Sequence, residues 1–93
     1  AAMNTTTAAP EWVTDIAEFT DRPIDWTGRA AVVQLAGEYT ASMTEDDTVV
    51  TVWLKRGHGI EGSTKFDHMG DVQFALIAAH LDSLATIAEM WEA

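Results

Sequence analysis

"FALIAAHLDSLATIAEMWEA", residues 74 to 93, decides the fold. Phe74, Ile77, Leu81, Leu84, Ala88 and Trp91 recur at alternating spacings of three and four, the period of one side of an α-helix. A second line, Val72, Leu76, Ala79, Ile87 and Met90, widens the apolar face. Gln73, His80, Asp82, Thr86 and Glu89 lie mostly elsewhere. Alanine and leucine lose little on entering a helix. Asp67 or Asp71 can cap the free N–H groups at its start. Twenty residues at ~1.5 Å rise span about 30 Å, the width of a small domain.

The next elements outward are strands. "TVVTVWLK", residues 48 to 55, is rich in β-branched residues and tryptophan, with Val50, Val52 and Leu54 on one face and Val49, Thr51 and Trp53 on the other. "RAAVVQLAGEYTASM" alternates in part, with Val33, Leu35, Gly37 and Tyr39 on one side, and reads as a strand over about 30 to 40. "TEDD" supplies the turn of a hairpin joining the two. At the front, "PEWVTDIAEFT" places Trp12, Ile16 and Phe19 at helical spacing behind a proline suited to a first turn. That predicts a short amphipathic helix over 10 to 19, its early acids matched to the helix dipole. "TDRPIDWTG" interrupts the pattern at Pro23 and Gly28, and Ile24 and Trp26 can pin this connection to the core.

The expected class is therefore α+β: a short N-terminal helix and a two- or three-stranded antiparallel sheet packed by a long C-terminal helix. Residues 1 to 9 form a loose tail and 10 to 93 a single domain, the number of cores that 93 residues close. With 47% hydrophobic residues the chain is not of disordered composition. Cysteine is absent, which removes disulfides, thiolate ligands and thiol chemistry. No stretch reads as a signal peptide or membrane span, so a cytoplasmic location is expected. Fifteen acids against five bases give a formal charge of −10, which repels phosphates and anionic membranes. Direct nucleic-acid binding is thereby disfavoured, and a protein partner with a basic surface is favoured.

"KRGHGIEGSTKFDHMGD", residues 55 to 71, gathers two histidines and several carboxylates, and has to be weighed as a site. His58, His68 and His80 stand ten and twelve residues apart, spacings that match no compact zinc motif. Ser63 and Thr64 lack a nucleophile elbow. "GHGIEG" has the letters of a dinucleotide loop but precedes no helix, and the chain is too short for a dinucleotide domain. The economical reading is structural. Gly57 and Gly59 permit a reversal, "IEGSTKF" returns as a third strand with Ile60 and Phe66 on the core and a bulge or weak point at Gly62, and Lys65 guards the edge. No catalytic, metal or cofactor residues are assigned.

Three stretches, "PEWV", "AAVVQLAGEYTASMTEDDTVVTVWL" and "FDHMGDVQFALIAAHL", give the chain a Pro-x-Trp start, a β-hairpin middle and a capped C-terminal helix. In this it resembles small uncharacterised domains of actinobacteria and their phages. Related sequences often carry Cys after the Trp, where Val13 stands here. The resemblance implies the fold and an actinobacterial or phage setting, with the host cytoplasm as the location if the chain is phage-encoded.

Function is expected from the helix seam. Two or three strands cover one apolar line of a long helix but not both, and an uncovered apolar patch marks an association site. Phe74, Ile77, Leu81, Leu84 and Trp91, with Trp53 on the sheet, are the candidate interaction residues, and a homodimer through the C-terminal helix is the simplest association. The leading expectation is a small acidic, non-enzymatic interaction protein that binds and modulates a host protein. One alternative is a DNA mimic, in which Glu38, Glu45, Asp46, Asp47 and helix acids form a continuous stripe. Another is a small-ligand or anion site around the 55–68 loop, built on His58, Lys65 and His68.

Overall fold

The computed structural model describes residues 9–67 and 71–92. The expected tail therefore lies, but for Ala9, outside the described residues, as does His68. Helix α1 (Glu11–Ala17) is followed by strands β1 (Asp25–Trp26), β2 (Ala31–Gln34), β3 (Tyr39–Asp46), β4 (Val49–Arg56) and β5 (Gly59–Asp67), then helix α2 (Asp71–Glu92). The strands form one antiparallel sheet in the order β1-β2-β3-β4-β5, so every neighbour in space is a neighbour in sequence.

The α+β class is as expected, but the sheet has five strands rather than two or three. The stretch 30–40 is two strands, because Gly37 adopts φ 58°, a left-handed conformation open to glycine, and reverses the chain. Leu35 N–H donates to the Tyr39 carbonyl, and Tyr39 N–H to that of Ala36, closing the turn. Ala31, Val33, Leu35, Tyr39, Ala41 and Met43 are all buried, so inward alternation runs straight through the reversal and hides it from a periodicity reading. "TED" continues β3 instead of turning, and the reversal falls at Asp47 and Thr48, with Asp47 at φ 59°. Asp25 and Trp26 add a two-residue strand on β2.

The core lies between the sheet and the two helices. Val50, Val52 and Leu54 of β4 join the inward residues of β2 and β3 beneath Phe74, Ile77, Leu81, Leu84, Ala85 and Ala88 of α2. Each such large side chain contributes about 1.5–3 kcal/mol by leaving water. Helix α1 adds Trp12, Val13 and Ile16 beside α2, and Trp12 meets Trp26 edge-on with ring centroids 6.1 Å apart. Phe19, expected on the core, is 48% exposed because α1 ends at Ala17 and the helical line stops short of it. The opposite sheet face is mostly polar, carrying Thr40, Ser42, Thr44, Thr51 and Lys55 around Trp53, together with Val32 and Val49. No helix among the described residues is long and apolar enough to cross a membrane.

Candidate functional site: the β5 edge and the flank of α2

Helix α2 packs against both β3 and β5, and so runs above β4. Beyond it β5 projects as the sheet's last strand. Of its nine residues all but Phe66 are exposed. Hydrogen-bonded on one side to β4, it leaves the other edge open among the described residues. The pairing slips once: Leu54 faces Gly62 but Lys55 faces Ile60, so Glu61 is the extra residue of a bulge. The expected weak point at Gly62 is thus displaced by one residue, and Ile60, expected on the core, is 60% exposed.

Between β5 and α2 lies a groove of about 230 Å³ lined by Val52, Leu54, Glu61, Gly62, Ser63, Thr64, His80, Leu84 and Trp91. It exists because β5 offers the small residues Gly62, Ser63 and Thr64 there beside Glu61. A β-carbon built on Gly62 would meet nothing within 4 Å. One end is closed by Phe66 against the His80 ring, centroids 5.3 Å apart. Near the other, Trp91 tilts onto Tyr39 at 5.8 Å, and the Arg56 guanidinium lies 5.8 Å from the same tyrosine ring. Burial in this wall lowers the His80 pKa from its usual 6.5. A larger depression of about 470 Å³ is lined by Phe19, Thr20, Asp21, Arg22, Pro23 and Asp82. There Arg22 Nε donates to Asp82 Oδ1 at 2.9 Å, and the pair satisfies itself.

The candidate interaction residues divide. Phe74, Ile77 and Leu81 face the chain's own core, at 6%, 0% and 0% exposure, and a partner could reach them only by displacing the sheet, whereas Leu84, 7% exposed, joins the core and also borders the groove. Trp91 is half exposed and borders the groove. Trp53 is half-buried on the polar sheet face, its indole N–H donating to Thr44 Oγ1 at 3.3 Å. The second helical line is partly uncovered: Leu76 and Met90 are 48% and 68% exposed, while Ile87 packs against the core. Sequence reasoning missed the groove because it set His80 outside both apolar lines. His80, Leu84, Ile87 and Trp91 follow one another at spacings of four, three and four, a signal that was present.

The alternatives fare differently in geometry. Glu38 stands in the β2–β3 turn and Asp47 in the β3–β4 turn, at opposite ends of β3, and Thr40 to Thr44 between them carry no charge. His58 is exposed in the β4–β5 turn, while His80 lies in the groove. Among the described residues no group of three or more His, Cys, Asp or Glu side chains is placed to hold a metal ion. Comparison with protein-family models, with curated proteins and with solved structures finds no match to the chain.

Proposed function

We propose that the chain is a non-enzymatic protein-binding domain that takes its partner by strand addition along β5, with side chains of the added strand entering the groove beside α2. The reading is carried by the nine-residue edge, exposed along nearly its whole length and bordered by a groove of mixed polarity that includes Leu54, Leu84 and Trp91. Strand addition draws affinity from main-chain hydrogen bonds and specificity from pockets that take alternate side chains. Here the pockets sit over Leu54, Leu84 and Trp91. The charge of −10 steers basic surfaces toward the molecule and raises encounter rates more than affinity.

The test uses Gly62→Lys, which fills the groove, and Trp91→Ala, which removes one wall. Neither side chain is in the buried core. Capture from a native lysate by the unaltered protein, lost in both variants while their melting temperatures hold, supports the reading. A partner retained equally by both variants overturns it.

A further inference from the structure

We infer that the partner taken by this edge is a second copy of the same chain, added antiparallel at β5 about a twofold axis through Ser63. This rests on the proposed role of β5 and α2 as the contact surface and names its occupant. A twofold axis perpendicular to a sheet preserves its two faces, so facing residues must have numbers that differ by an even amount. Centring the axis on Ser63 keeps residues 61 to 65 in phase, and the bulge then turns Gly59 and Ile60 out of step with Asp67 and Phe66.

In that register Glu61 faces the second copy's Lys65, and Lys65 faces its Glu61, so two opposite-charge pairs form across the axis. Gly62 faces Thr64, two small residues that let the strands close without obstruction. Sliding by two residues in either direction sets Glu61 opposite Ser63 or opposite Asp67, losing the pairs or replacing them with repulsion. Within one chain Glu61 and Lys65 are four positions apart on an extended strand and about 13 Å distant. Among the described residues the salt bridge found is Arg22–Asp82, which uses neither. The bulge at Glu61 lies at the outer part of this register and leaves Gly62, Ser63 and Thr64 regularly paired to β4. The self-complementary charges are what favour a second copy over an unrelated peptide. The result is a continuous sheet of two five-stranded halves, with both grooves on one face.

Sedimentation velocity and light scattering at increasing concentration test this. The unaltered protein is expected to dimerise at tens to hundreds of micromolar. Lys65→Glu or Glu61→Lys alone places like charges across the axis and should weaken the dimer about tenfold or more. The double exchange Glu61→Lys with Lys65→Glu should restore it to within about threefold, since the pairs re-form with reversed sign. Ser63→Cys, the chain's single cysteine, should oxidise to a disulfide-linked dimer, because facing Cα atoms in antiparallel strands lie about 4.5–5.5 Å apart. Thr44→Cys, on the polar face away from the edge, should not. A protein monomeric throughout that range overturns the second copy, while the groove variants judge the contact surface separately. A dimer indifferent to both single reversals overturns it too.

Discussion

The two edges of the sheet are built on opposite principles. At one, β1 is two residues long, and its Trp26 is held against Trp12 of α1. At the other, β5 runs nine residues with no described element beyond it. A short, covered edge offers an incoming strand little main chain to pair with, and a long bare one offers a template. Lys65 is a guard against indiscriminate pairing, but in the proposed twofold register one lysine opposite one glutamate would also select its own copy. The difference teaches that charge on an edge can choose a partner as well as repel one.

Replacing the tryptophan that closes the first flank should have the largest effect. Trp12 is 6% exposed, and Trp12→Ala should cost about 3–5 kcal/mol in chemical denaturation. A loss below 1 kcal/mol would mean that α1 does not seal that side.

On the open flank the informative variable is pH. Folded His80 resists protonation because burial disfavours its charged form. Just below pH 6.5 the unfolded chain therefore binds more protons than the folded one. This contribution is full above 6.5 and is lost as pH falls from there toward the lower folded pKa. His80→Gln should flatten that part of the stability curve, read from denaturation midpoints at a series of pH values. Identical curves would mean the ring is as hydrated in the groove as in the unfolded chain.

Smaller effects sharpen the contrast. The Arg22–Asp82 pair of the closed flank is solvent-exposed at the aspartate, 67% accessible, so Asp82→Asn should cost about 0.2–1 kcal/mol and less at high salt. Ile60→Ser on the open flank should change the stability of the dilute protein by less than about 0.5 kcal/mol. The same change should leave dimerisation unaltered in sedimentation, because the bulge turns Ile60 to the sheet face opposite Phe66.

Much of this architecture was legible because burial follows periodicity. The seam Phe74, Ile77, Leu81, Leu84 and Ala88 reads as one face of a helix and is one buried face. Val50, Val52 and Leu54 likewise alternate inward on β4. What periodicity cannot reveal is a turn that preserves parity, and Gly37 made one, so two strands read as one. The sheet's width hid for the same reason, and with it the capacity to bury a full helical seam. A narrow sheet left Leu84 for a partner, whereas five strands and α1 leave it to the core, and the free apolar surface moves to Leu76, Met90 and Trp91. The groove was least visible, because it depends on where small residues of β5 fall beneath α2, and that is tertiary placement.

The unbroken meander has a consequence for how the molecule is made. Each hairpin closes on residues just synthesised, and such local pairing is fast, on the order of microseconds. The helix that covers Val33, Met43 and Val52 follows all five strands in the chain. During translation the sheet can therefore assemble while its greasy side still waits for a lid, and that interval is when a nascent chain is most exposed to aggregation or to a chaperone.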